Sequence, residues 1–191
     1  FKTPIASIQG AAELLSDHDD TMTAEERQRF LGSITKGGER LKALLDRLLE
    51  LARAENAERT DQATELGPVI RRATRRLPEG VQADISVPEG LTGVISDEAL
   101  GIVLENLFSN AESHGASMLR VTATVEGDHV VLDIADDGEG VSTANRDKIF
   151  EHFFTTRRDS GGTGLGLGIA RALLTAHGGD ITLKDSTEGA S

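Results

Sequence analysis

The chain contains no cysteine, no tryptophan and no tyrosine, and only six phenylalanines. Without cysteine there are no disulfides, no thiolate catalysis and no Cys-based zinc sites, a composition that fits a reducing compartment. With so few aromatics, Leu, Ile, Val and Ala must build the core. Positive charge is also scarce, with 20 Lys and Arg against 32 Asp and Glu, a net charge of -12 over 191 residues. Nucleic-acid and anionic-membrane surfaces both need clustered cations, so no nucleic-acid partner is expected. No run approaches the ~20 apolar residues of a membrane span, and no secretory signal is visible. No Gly is followed by Lys, which excludes a Walker A loop. No Gly-x-Ser-x-Gly elbow exists, since Ser160 has Arg158 two places before it. The remaining composition, 38% hydrophobic and 27% charged, suits a folded globular chain. Phe1 opens directly into a helical pattern and Glu188 to Ser191 stop in mid-element, so the chain is expected to be a piece of a longer protein. Any membrane segment would lie outside it.

The first block is helical. Phe1, Ile5, Ile8, Ala12 and Leu15 step by fours and threes, and Ser16 to Thr23 breaks the pattern. Thr23 with Glu26 three residues on is a capping box. The rhythm then resumes through Phe30, Ile34, Gly37, Leu41, Leu44, Leu48 and Leu51, the spacing of a bundle seam. Two such helices predict an antiparallel hairpin. One hairpin cannot cover its apolar stripe, which favours pairing into a homodimeric four-helix bundle over packing on its own C-terminal half.

Polar residues Glu55 to Glu65 read as a linker, and the second block mixes element types. Leu66–Leu77, Asp97–His114 and Leu165–Ala176 have helical spacing. Ala83–Val87, Gly93–Ile95, Leu119–Val125, Val130–Ala135 and Ile181–Lys184 read as strands. The pattern is α+β, with helices on one face of a mixed sheet.

Three stretches of the second block carry chemistry. Asn106 and Asn110 share one helix face, and an amide oxygen is a hard neutral ligand for Mg2+ held jointly with phosphate. A solvated helix surface is the plainer alternative. Asp136-Asp137-Gly138-Glu139-Gly140 follows a strand, and its glycines allow close backbone approach to a ligand. In isolation the same residues also suit an acidic surface turn. Gly161 to Gly168, five of them glycine, run into a helix and offer backbone N–H groups to an anion. The register of the dinucleotide fingerprint fails there at Leu167 and Ile169. Leu165, Leu167 and Ile169 are expected at a buried helix start. The five histidines lack metal-ligand spacing.

Taken together and in this order, these motifs resemble those of the sensor histidine kinases over essentially the whole chain. Phe1-Lys2-Thr3-Pro4-Ile5 resembles the tail of that family's histidine box, Asn106 to His114 its N box and Asp136 to Gly140 its first glycine box. Ile149 to Phe154 resembles the F box, and Gly162 to Gly168 the second glycine box. The resemblance implies two domains. Residues 1–57 would be the dimerisation and phosphotransfer hairpin, and 58–191 an α/β sandwich of the Bergerat ATP-binding type with its last strand truncated.

The resemblance also implies ATP and Mg2+ as cofactors. Asn110 would hold the metal and Asn106 would support the phosphates. Asp136 would bind the adenine amine, and Gly138 and Gly140 would shape the base pocket. Val141 to Gly162 would form a lid anchored by Phe150, Phe153 and Phe154, with Arg157 or Arg158 approaching phosphate. Gly162, Gly164 and Gly166, with Thr163 and Leu165 between them, would line the triphosphate.

Where the family often carries Lys or Arg three residues after the second Asn, this chain has Ser113. That phosphate contact would then be lost, or supplied by His114 or the lid arginines. The acceptor His would stand two places before Phe1, and Thr3, one helical turn on, would either orient water for receiver dephosphorylation or be a helix-surface Thr ahead of the Pro4 bend. The implied partner is a response-regulator receiver. The implied location is cytoplasmic for this chain, with the full-length protein anchored in a bacterial inner membrane. Two alternatives remain beside this reading: an inert ATP-binding and dimerisation module, and another ATPase of the same fold.

Overall fold

A computed structural model describes residues 2–18, 21–59, 62–157 and 161–184, without the side chains of residues 2 and 3. The chain divides into two compact units, Phe1–Glu50 with Arg157–Thr163, and Leu51–Thr156 with Gly164–Ser191.

The first unit contains α1 (Lys2–Asp17) and most of α2 (Ala24–Glu55). The capping box starts α2 as expected. The Glu26 carboxylate accepts from the Thr23 N–H at 2.9 Å and its hydroxyl at 2.8 Å, and the Glu26 N–H donates to Thr23 Oγ1 at 3.2 Å. Those bonds, the backbone one foremost, hold the Glu26 carboxyl below its ordinary pKa. Thr23→Ala removes the cap and should destabilise the hairpin by ~1 kcal/mol. A urea midpoint identical to the native one would contradict this.

α1 folds back on α2 where Gly37 is bare, since a Cβ there would stand 2.5 Å from Ile8 Cγ1. In α1 it is Ala11, not Ala12, that is buried. The rest of the seam is mostly half-buried, and Ile5, Leu14, Leu31, Leu45 and Leu49 remain exposed. This apolar stripe is wider than one hairpin covers.

The second unit is an α/β sandwich. Its three-stranded sheet has the order β2 (Gln82–Ser86), β4 (Met118–Glu126), β5 (His129–Asp136), β2 running parallel to β4 and β5 antiparallel. The central strand buries alternate residues Leu119, Val121 and Ala123, with Arg120 exposed and Thr122 half-buried between them, the pattern of a sheet covered on one face. α3 (Leu66–Thr74), α4 (Asp97–Ser113) and α5 (Gly166–Ala176) supply the rest of the core through Val69, Ile70, Leu100, Leu104, Ile169 and Ala170.

Four expectations need correction. The linker ends in structure, because Thr64–Glu65 forms β1, antiparallel to β3 (Thr92–Gly93), with Thr64 buried. β3 itself is shorter than the Gly93–Ile95 reading, because Ser96 is already the N-cap of α4. α3 stops at Thr74 rather than Leu77: its last turns tighten to Arg76 N–H→Ala73 O and Leu77 N–H→Thr74 O ahead of Pro78, whose ring disfavours a helical residue before it. Residues 181–184 form no ladder among the described residues. They meet β5 through the Lys184–Asp133 ion pair at 2.6 Å, an attachment by side chain rather than by paired backbone.

Candidate functional site

The site is built around the C-terminal half of α4. Ser96 caps the helix, its Oγ accepting from the Ala99 N–H at 3.1 Å. Leu100, Val103, Leu104, Phe108 and Ala111 anchor the buried face. Asn106 lies among them at 5% exposure, an uncommon place for an amide. Its Nδ2 donates to Ile102 O at 2.9 Å. Its Oδ1 lies 3.0 Å from where a Cβ on Gly166 would be, so the first residue of α5 comes against the amide because it has no side chain. Asn110, one turn on, is half-buried. Ser113 directs its hydroxyl to Asn110 O at 2.9 Å, so it is engaged by its own helix.

The first glycine box meets the end of the same helix. The carbonyl of His114, the C-cap residue of α4, accepts from the Glu139 N–H at 3.1 Å. A Cβ at position 138 would lie 2.9 Å from that same carbonyl oxygen, so glycine is needed for contact rather than for conformation. Asp136 closes β5, and its Oδ1 accepts from the Gly138 N–H at 2.9 Å. That bond fixes the carboxylate through one of its two oxygens. Gly140 turns the chain with φ +68°, and Val141 after it is half-buried.

Asp137 binds a different segment. Its Oδ1 accepts from the N–H groups of Ser117 (2.7 Å) and Met118 (2.8 Å), and its Oδ2 from the Ser117 hydroxyl (2.6 Å). These bonds, the hydroxyl's first, pull its pKa from 3.8 down to about 2. A depressed carboxyl stabilises the fold in its charged form. The contribution is therefore complete above pH 3.8 and is lost as pH falls towards 2.

The second glycine box enters α5 through Leu165, which is fully buried at the N-cap. Ile169 is buried as expected, while Leu167 is only half-buried. Gly164 has φ +67°, and a Cβ there would fall 2.5 Å from the Phe154 carbonyl oxygen. Its own carbonyl accepts from the Phe153 N–H at 2.8 Å.

The F box therefore lies on the start of α5. The Arg171 guanidinium sits 5.4 Å from the centroid of Phe150, and the His152 ring covers Gly168, its Cδ2 2.7 Å from a would-be Cβ. Phe154 is half-buried. Phe153 has a φ of +67°, which L residues rarely adopt, and at 43% exposure it is less buried than Phe150 and Phe154. His152, Arg171, Ser117 and the side-chain role of Asp137 had no spacing signal. Only the presence of His152 where the family often has Pro or Arg marked that position.

The structure thus ties Asn106, His114, Asp136, Gly138, Gly164, Leu165 and Gly166 to one framework of α4, the β5 turn and the start of α5, with Asn110 on α4 between Asn106 and His114. Arg157, Gly162 and Thr163 belong to the first unit, where the Gly162 N–H donates to Arg157 O at 3.0 Å. Arg158 lies outside the described residues, as does the side chain of Thr3.

Mg2+ fits the donors of this framework in one way. No cluster of three or more His, Cys, Asp or Glu side chains suited to a metal exists among the described residues. A cage made by protein alone is therefore not offered. A single neutral amide such as that of Asn110 would suit only an ion that keeps most of its water and takes its other ligands from elsewhere.

Residues 96–191 match the family of histidine kinase-, DNA gyrase B- and HSP90-like ATPases. Residues 1–57 match the His Kinase A (phospho-acceptor) domain. The two together, in this order, make the chain a member of the sensor histidine kinases. It is 27% identical over 198 residues to the sensor histidine kinase YcbM of Bacillus subtilis, covering 96% of this chain and 63% of that protein. The histidine kinase AdeS of Acinetobacter baumannii shares the fold at TM-score 0.65 and 21% identity, covering 99% of this chain and 91% of that one. The ATP-binding domain of PrrB from Mycobacterium tuberculosis superposes at TM-score 0.53 and 25% identity, over 68% of this chain and 90% of that one. The chain spans 63% of the length of YcbM and as little as 22% of another curated relative.

Proposed function

We propose that this chain is the ATP-using core of a two-component sensor kinase. Residues 58–191 would hold Mg-ATP, and the γ-phosphoryl would pass to a histidine two positions before Phe1, on the hairpin that 1–57 continues, and from there to an aspartate of a response-regulator receiver. The observation that carries the reading is the junction at α4: Asn106 against Gly166 and His114 against Gly138 and Glu139 bring three separate motifs to one helix.

In this reading the Asp136 oxygen left free by Gly138 accepts the adenine amine. Asn110 holds Mg2+, which supplies charge neutralisation for the phosphates when bound. The bare backbone from Gly164 to Gly166 offers N–H groups at the start of α5 to the triphosphate, where a helix N-terminus favours negative charge. The nucleophile is an imidazole nitrogen, carried over from the resemblance to a position two before Phe1. It bonds to the γ-phosphorus as the bond to the β–γ bridging oxygen breaks and ADP leaves. A neighbouring carboxylate orients the ring and takes its proton. Transfer of so loosely bonded a phosphoryl group asks mainly for positioning and charge. The exposed leucines of α2 support burial against a second copy as a four-helix bundle.

The test is the gene product extended upstream through that histidine, incubated with labelled Mg-ATP. Label that is lost in acid and retained in alkali, as a phosphoramidate is, is the expected result. Steady ATP hydrolysis with no phosphoprotein would instead favour another ATPase of this fold, and neither activity would leave an inert module.

A further inference from the structure

We propose that Asp137 is a positioning residue for the nucleotide: by clasping Ser117 and Met118 it sets the turn from which Asp136 reaches the base. The proposal rests on the ATP-binding role of this unit.

The β4–β5 ladder ends at the pair Leu119↔Asp136. Beyond it the two strands have no regular pairing to keep them together, and the Asp136 turn begins there. Asp137 supplies what the ladder no longer does. Its carboxylate takes three donors from residues 117 and 118, while its own N–H donates back to Met118 O at 3.3 Å. The clasped segment is held from the other side too, because the Gln82 N–H of β2 donates to Ser117 O at 2.9 Å.

The same segment follows directly on His114. The turn therefore meets the α4–β4 connection in three places: Asp137 on 117 and 118, Glu139 N–H on His114 O, and Gly138 in contact with the backbone of 114 and 116. The second contact is a backbone bond almost any residue could make, and the third needs only the lack of a side chain. Only the clasp depends on the chemistry of a side chain.

Both oxygens of Asp137 are engaged at 2.6 to 2.8 Å, Oδ1 by two donors and Oδ2 by one, so the carboxylate is committed mainly to the clasp. Its depressed pKa reflects the same three bonds. Among the described residues the Asp136 carboxylate accepts one bond, from within its own turn. The two adjacent acids divide the work, one holding the turn and the other free to read the base.

The test measures the affinity of the whole chain for Mg-ATP and Mg-GTP by calorimetry, with melting temperature recorded in parallel. Asp137→Ala should weaken ATP binding on the order of tenfold, since small misplacement of a ligand-reading group has large effects, and should narrow the preference for ATP over GTP. Asp137→Asn should recover native affinity, because its amide oxygen still accepts the two backbone N–H groups while the Ser117 hydroxyl turns to accept from its nitrogen. Ser117→Ala removes one donor and should give a smaller loss in the same direction, which keeps the test valid should the first variant fail to fold. An Asp137→Ala protein that melts earlier yet binds ATP and GTP as the native chain does would overturn the proposal. So would an Asp137→Asn protein no better than Asp137→Ala. A native chain that binds neither nucleotide would instead overturn the ATP reading on which the proposal stands.

Discussion

Gly164→Ala should destabilise the ATPase-type unit by roughly 2–5 kcal/mol and abolish measurable nucleotide binding at moderate concentrations. Two costs add. A left-handed backbone costs an L residue about 1–2 kcal/mol, and the native φ is +67°. A Cβ would also stand 2.5 Å from the Phe154 carbonyl oxygen and 2.6 Å from the Phe153 carbonyl carbon. These are backbone atoms that no side-chain rotation can move aside, and overpacking of this kind costs about 1–3 kcal/mol. The chain can respond only by separating the F box from the start of α5, which breaks the 2.8 Å bond from the Phe153 N–H to Gly164 O and shifts Leu165 at the helix N-cap. Gly101→Ala is the control. It sits in the interior of α4 with nothing within 4 Å of the added atom, so it should stabilise by a few tenths to ~1 kcal/mol through helix propensity. Chemical denaturation of both variants decides the matter, and a Gly164→Ala protein as stable as the native chain would remove the close approach described here.

The parts of this molecule that were legible in sequence are those specified locally. Thr23 and Glu26 bond each other across three residues, so their spacing alone predicts the cap. The face of α4 and the hairpin of β4 and β5 follow from periodicities of 3.6 and 2 with a turn between. β1 was read as linker because two residues, Thr64 and Glu65, carry no periodicity, and their pairing partner is Thr92–Gly93, far along the chain. The positive φ of Phe153 is likewise a non-local result, imposed where the F box meets Gly164. For the site, the acid pair at 136 and 137 was visible, but nothing in its spelling says which acid is bound internally and which is free. That depends on Ser117, which precedes β4 and comes alongside only when the sheet forms. The end of α3 was legible and was overrun, since Pro78 already argues against helix through Leu77.

Asp136→Asn should weaken Mg-ATP binding by about 10- to 100-fold, the loss expected when a bond to a charged group is removed from a site, while leaving the fold nearly untouched. The asymmetry of the Asp136 carboxylate makes this substitution informative. Its Oδ1 accepts from the Gly138 N–H, and an asparagine oxygen can continue to do so, which keeps the turn closed. The other position becomes an NH2 group. Facing an exocyclic amine it sets donor against donor, whereas facing the carbonyl of guanine it sets donor against acceptor. The variant should therefore lose ATP more than GTP, and the ratio of the two affinities should fall or invert. Asn110→Ala probes the other end of the ligand. It removes the amide that would hold Mg2+, one turn from the buried Asn106, and should lower affinity for Mg-ATP more than for adenosine, which brings no phosphate-bound metal. The two variants thus separate base recognition from phosphate recognition on one scaffold. Native affinity in both, at an unchanged melting temperature, would mean that the convergence of motifs at α4 serves packing rather than a nucleotide.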